Sequence, residues 1–134
     1  MAKGLKPAVY SPVREAGELV FAAGQIGADL ATMTASPDIA VQVEVALKNL
    51  TNALATVGLG LSDVVKTTVF LADMGDYSAM NEVYLKHFAA PRPARSCVAV
   101  RELPRVVPGV DLKIEIEAVA VKTEHAAEGA KPSN

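Results

Sequence analysis

The sequence predicts an α/β (α+β) sandwich of one sheet and two helices, in the order β-β-α-β-α-β-β. Three observations predict it. Two stretches carry apolar residues at helical spacing, and five others alternate or run apolar at strand length. Clusters of Gly, Pro and Asp separate them. Runs of both kinds interleaved along 134 residues point to one layered domain with both helices on one sheet face.

The first segment, residues 8–13, reads as a short edge strand, because Pro12 cannot donate to a central ladder. Arg14-Glu15-Ala16-Gly17-Glu18 reads as a turn. Leu19-Val20-Phe21-Ala22-Ala23 is then a compact apolar strand, ending at Gly24-Gln25-Ile26-Gly27, where glycine allows a sharp turn or close approach of a ligand. Residues 28–35 read as a loop. Ser36-Pro37-Asp38 starts a helix of about twenty residues, with a capping hydroxyl, a first-position proline and an early acid. Ile39, Val43, Leu47, Leu50 and Leu54 form its apolar stripe, and Gly58 stops it. Gln42, Glu44, Lys48 and Asn52 are expected mostly on the solvent side.

Residues 64–71 are rich in Val and Thr and read as a central strand. Asp73-Met74-Gly75-Asp76 breaks it and supplies a cap. Met80, Val83, Tyr84 and Phe88 mark a shorter amphipathic helix, closed by Ala89-Ala90-Pro91-Arg92-Pro93. Residues 93–100 and 113–121 are the last two strands, joined by a Pro- and Gly-containing loop. From Thr123 onward apolar periodicity ceases, so residues 1–122 read as the domain and 123–134 as a disordered tail.

Composition narrows the function. Half the residues are hydrophobic but only 4% are aromatic, so the core is aliphatic. A net charge of −2 with both signs interspersed argues against nucleic acid as the main partner. One cysteine excludes an internal disulfide framework. No segment has the length and apolarity of a signal peptide or membrane span, so a cytoplasmic protein is expected. His87 and His125 offer no metal-ligand spacing, and neither metal nor cofactor is called for. His87 is expected to be a surface or packing residue.

The last two strands hold the candidate chemistry. Arg95 and Cys97 alternate against Ser96 and Val98, while Glu115 and Glu117 alternate against Ile114 and Ile116. Arg95, Cys97 and Glu115 are expected together on a semi-polar face away from the helices. Arginine is the natural bidentate partner of a small carboxylate, and a nearby glutamate can place a water or move a proton. Those parts suit hydrolysis of a labile C=N bond in an acid. An Arg–Glu cross-strand pair of little consequence fits the spacing equally well. Nucleophilic catalysis by Cys97 lacks an evident base.

The strings Pro93-Ala94-Arg95-Ser96-Cys97-Val98, Leu103-Pro104 and Lys113-Ile114-Glu115-Ile116-Glu117-Ala118 resemble the reactive intermediate deaminase family, the Rid or YjgF-type proteins. Ala23-Gly24-Gln25-Ile26-Gly27, Asp63–Phe70 and Met80–Tyr84 also match, so the resemblance covers about residues 8–122. It implies a chorismate-mutase-like fold with a mixed sheet, and a homotrimer with a central barrel and inter-subunit clefts. It also implies a role in metabolite damage control. The implied activity is hydrolysis of 2-imino or 2-enamino acids to the 2-oxo acid and ammonia. Arg95 would bind the substrate carboxylate and Glu115 would orient water. Tyr10, Gly24 and the Cys97 backbone would complete the substrate site.

Three departures bear on substrate size. Ala8-Val9-Tyr10-Ser11-Pro12 keeps the family's tyrosine in altered surroundings, Ala23 replaces a serine, and the loop at 104–111 is longer than in compact deaminases. Rival readings are a non-catalytic trimer that binds 2-oxo acids, a pathway-specific deaminase of a larger enamine, and a ribonuclease. Acidity and scarce aromatics oppose the last.

Overall fold

A computed structural model describes residues 8–122. Its strands are β1 (Val13–Ala16), β2 (Leu19–Ile26), β3 (Val64–Leu71), β4 (Ala94–Ala99) and β5 (Ile114–Val121). The helices are α1 (Ile39–Ala55) and α2 (Tyr77–His87). The sheet order is β1-β2-β5-β3-β4, so the last strand in sequence is the central one. All pairings are antiparallel except β3 with β4, whose connection runs through α2. The mixed sheet with two helices is the predicted architecture. The tail, 123–134, lies outside the described residues.

Both helices cover one face of the sheet. Val43, Leu47, Leu50 and Leu54 of α1 pack with Met80, Val83 and Tyr84 of α2 over Val20, Val69, Ile114 and Ile116. Burying such side chains contributes about 1.5–3 kcal/mol each, which holds the layers together. A second, smaller cluster lies at one end of the sheet: Ala28, Leu103, Val107 and Leu112, with Phe70 and Ile26 against it. It anchors the long loop between β4 and β5.

Several boundaries differ from expectation. The edge strand is Val13–Ala16, not 8–13, and the turn shrinks to Gly17 (φ +61°) and Glu18. A hairpin this short needs a left-handed residue at its tip, which glycine supplies. β2 runs on through Gly24 and Gln25 to Ile26 instead of ending at Ala23. It does so through a bulge: Ala22 pairs with Ala118 but Gln25 with Ile116, so β2 carries one extra residue. α1 has 17 residues, and its cap is Asp38, whose carboxylate accepts from Val41 N at 3.0 Å. Ser36 instead accepts from Asp38 N. His87 bonds Glu44 at 2.6 Å and ties α2 to α1, a packing role as expected.

Gln42 is the clearest correction. Expected mostly on the solvent side, it is fully buried. Its amide donates to Ser36 O (2.8 Å) and Asp111 O (3.1 Å), and accepts from Lys113 N (2.7 Å). Gly27 leaves the room it needs, since a Cβ there would stand 2.6 Å from the Gln42 carbonyl oxygen. Glu44, Lys48 and Asn52 are exposed as expected.

Candidate active site

The alternation of β5 sends Ile114, Ile116, Ala118 and Ala120 into the helix-covered core, and Glu115 and Glu117 to the open face. Arg95 and Cys97 go the other way. Arg95 is in register with Thr67 and Cys97 with Val69, both buried under the helices. The expectation that Arg95, Cys97 and Glu115 share the open face is therefore wrong. Alternation within each strand was readable, but the face that an amphipathic edge strand turns to the helices depends on its partner's register. Apolar Val98 faces outward, 43% exposed, while the cation faces in.

What holds Arg95 there is a pair of tyrosines. Its guanidinium carbon lies 4.8 Å from the Tyr84 ring centroid and 5.6 Å from that of Tyr77. Such stacking is worth about 0.5–2 kcal/mol and offsets partial desolvation of the cation. Nη2 donates to the Tyr77 hydroxyl at 3.2 Å, and Nη1 reaches Met80 Sδ at 3.7 Å. Tyr84 is fixed in turn by a buried 2.8 Å bond between its hydroxyl and Thr67 Oγ1. Neither tyrosine was singled out in the sequence; Tyr84 reads there as one more member of an apolar stripe. No carboxylate among the described residues forms an ion pair with Arg95. The cross-strand Arg–Glu pair is thus excluded, and a planar cation is left half-buried with its charge unneutralised.

Cys97 packs beside the core, where burial raises its thiol pKa and the Arg95 charge only partly opposes this. A thiol kept protonated is a poor nucleophile.

Glu115 lies against the β2 bulge. A Cβ on Gly24 would stand 2.8 Å from the Glu115 Cδ and 2.9 Å from its Cγ, so only glycine leaves this carboxylate room. Burial, with Glu117 adding like charge, raises the pKa of Glu115. It makes no hydrogen bond or ion pair among the described residues. A cleft of about 1030 Å³ opens in front of it, with Tyr10, Gly24 and Ala23 on its wall. Three of the expected site residues thus come together, Tyr10, Gly24 and Glu115, while Arg95 and Cys97 do not line this cleft. Asn49, unremarked in the sequence, donates to Ile26 O (2.9 Å) and Ala28 O (2.8 Å) and fixes the exit of β2 beside it.

The mixed five-stranded sheet with two helices on one face is a fold also seen in known proteins. The family model described as Endoribonuclease L-PSP matches residues 3–122, and the chain belongs to that family, the Rid or YjgF-type proteins. It is 41% identical over 120 residues to Protein DfrA of Myxococcus xanthus, covering 89% of this chain and 88% of that one. It is 40% identical over 109 residues to the 2-iminobutanoate/2-iminopropanoate deaminase of Salmonella typhimurium, covering 79% and 81%. Among solved structures, E. coli TdcF with bound serine superposes with a TM-score of 0.77 at 35% identity, covering 88% and 91%. Yeast Mmf1 does so with a TM-score of 0.79 at 36% identity, covering 88% and 90%. Among the described residues no helix is long and apolar enough to cross a membrane.

Proposed function

We propose that the protein is a hydrolytic deaminase of reactive 2-imino or 2-enamino acids, releasing the 2-oxo acid and ammonia. The observation that carries this is the pair of uncompensated charges: Arg95 without a carboxylate and Glu115 without a cation. A small anionic imine supplies what Arg95 lacks, and water is the natural partner of Glu115. The deaminase relative named above supports the same reaction class.

Arg95 would grip the substrate carboxylate bidentately, with Tyr77 and Tyr84 fixing the plane of the guanidinium. Glu115, ionised, would take a proton from water as its oxygen bonds to the imine carbon. That proton, passed to nitrogen as the C=N π bond opens, would give the carbinolamine; Glu115 would then carry the proton of the new hydroxyl to nitrogen as the C–N bond breaks, the C=O bond forms and ammonia leaves. A raised pKa suits a group that must both accept and return a proton. Tyr10, Gly24 and the Cys97 backbone would shape the substrate's surroundings.

One sheet does not offer both its faces to one small molecule. We therefore place the site between chains of a homotrimer, Arg95 from one and Glu115 from the next. Phe21 and Val98, 45% and 43% exposed on the open face, fit burial against other copies.

The test is 2-oxo acid release from an imine generated by an amino-acid oxidase. Arg95→Ala is expected to lower kcat/KM roughly 10²–10³-fold, the loss of two charge-assisted hydrogen bonds. Equal acceleration by wild type and variant, or none by either, sinks the reading. Ala23, which removes a hydroxyl, favours the second reading of a 2-oxo acid-binding trimer. That reading requires saturable binding dependent on Arg95 and no turnover.

The pH profile checks Glu115 separately. It acts as a base only when ionised, so kcat/KM should rise as pH passes its elevated pKa. Glu117→Gln removes the like charge that contributes to the elevation, so the acidic limb should move to lower pH. An unmoved limb means that another group sets it.

A further inference from the structure

Beneath Arg95 lies a pair of hydroxyls shut away from solvent. Thr67 stands opposite Arg95 in the parallel ladder of β3 and β4, and opposite Ala118 in the ladder of β3 and β5. A residue laddered on both sides is held by the sheet itself, and its β-branched side chain is stiff at χ1. Thr67 is fully buried, and its Oγ1 lies 2.8 Å from the hydroxyl of Tyr84, which is buried as well. The phenol is the more acidic of the two, which assigns Tyr84 as donor and Thr67 as acceptor. Burial raises the pKa of Tyr84, with the Thr67 bond and the Arg95 charge opposing it, so the donated proton stays in place.

The Tyr84 ring packs against Phe88, with centroids 4.5 Å apart and planes at 32°. That contact is apolar and non-directional, whereas the Thr67 bond is directional and fixes the hydroxyl end of the ring. The Arg95 guanidinium lies closer to this ring, at 4.8 Å, than to that of Tyr77, at 5.6 Å. Tyr77 is exposed, so water competes for the 3.2 Å bond between its hydroxyl and Nη2. Tyr84 is therefore the firmer side of the cradle, and Thr67 ties it to the middle of the sheet. All of these contacts lie within one chain, so none waits on assembly.

We infer that Thr67 is a positioning residue for the substrate carboxylate: through the Tyr84 hydroxyl it sets the tilt of the ring on which Arg95 rests, and so the plane of the guanidinium fork. The inference rests on the carboxylate-binding role proposed for Arg95, and not on turnover. Without its acceptor the Tyr84 hydroxyl is left unsatisfied in a nearly dry site, and the ring must turn to find another partner. The guanidinium follows the ring, and a bidentate grip that depends on planar alignment loosens.

Three substitutions test it. Thr67→Val keeps the branched shape and removes the acceptor, Thr67→Ser keeps the acceptor, and Tyr84→Phe keeps the ring and removes the donor. Calorimetric titration with pyruvate should give a Kd raised about three- to tenfold by Thr67→Val and by Tyr84→Phe, while Thr67→Ser binds as wild type does. Both substitutions act through one bond, so the double variant should lose no more than the worse single. The Arg95 Nε–H resonance, identified in a nitrogen NMR spectrum of arginine-labelled protein by its loss in Arg95→Ala, separates this role from general loosening. It should shift in ligand-free Thr67→Val while the other arginine resonances stay in place. A wild-type Kd in Thr67→Val, or an unmoved Arg95 resonance, overturns the inference whatever the imine assay gives. If Thr67→Val does not fold, Tyr84→Phe decides by the same two measurements. No pyruvate binding by wild type removes the carboxylate role of Arg95 and the inference with it. Absence of imine turnover alongside the expected Kd and resonance changes removes the deaminase reading and sustains the inference.

Discussion

Chains carrying Arg95→Ala and chains carrying Glu115→Gln, each nearly inactive alone, are expected to regain activity when unfolded together and reassembled. The reason is the opposition of faces: Arg95 points under α2 and Glu115 to the open side of the same sheet. If the site draws its arginine from one chain and its glutamate from the next, mixed rings contain some intact sites. In a random one-to-one mixture the arginine donor is the glutamate variant half the time, and the glutamate donor is the arginine variant half the time. About a quarter of the sites should then be whole, whatever the size of the ring. Refolding each variant alone is the control, and steady-state 2-oxo acid release is the measurement. Recovery near that fraction supports a shared site; a mixture no more active than its components would mean that catalysis uses residues of one chain only.

Gln42→Leu is expected to cost about 3–5 kcal/mol of stability, because it leaves two carbonyls and one N–H at part-buried positions without their partner. Leucine has similar volume, so the effect isolates hydrogen bonding from packing. At this chain length the loss should lower the melting temperature by roughly 10–20 °C. Calorimetric melting of matched wild type and variant measures it. A drop of only a few degrees would show that water replaces the amide. The same substitution loosens the start of α1 from the long loop, which this side chain's hydrogen bonds join at Asp111 and Lys113.

Much of this was legible in the residues. The sequence placed β3 at residues 64–71 as observed, since a β-branched run bounded by an Asp-Gly break has one reading. The apolar stripe of α1 holds at Val43, Leu47, Leu50 and Leu54. Gln42 was misplaced because a helix stripe is judged from apolar residues, and a buried amide is disguised by its polarity until its partners, Asp111 and Lys113, are known. Those partners lie 69 and 71 residues away. The bulge in β2 was equally hidden: Gly24 signalled sharp geometry, but not that the strand continues past it with its facing inverted. Arg95 and Glu115 were singled out as types suited to the chemistry, and Gly24 and Tyr10 by the family resemblance. Their division between two faces was not, because strand parity is settled by long-range pairing rather than local alternation. That Tyr77 and Tyr84 cradle Arg95 was not legible, because nothing local distinguishes Tyr84 from a core residue.

The position of β5 has a consequence for how the protein comes to be made. Its partners β2 and β3 are synthesised far earlier, yet neither can complete its ladder until residues 114–121 have emerged. Until then β1 and β2 form a lone hairpin, and β3 and β4 a parallel pair, neither of which is stable by itself in water. Residue separations of this size make closure slow compared with local hairpin or helix formation. Stability therefore arrives late and at once, with the final strand inserting as a keystone between two halves that wait for it. Loss of a few residues from the end of β5 would remove the middle of the sheet rather than trim its edge.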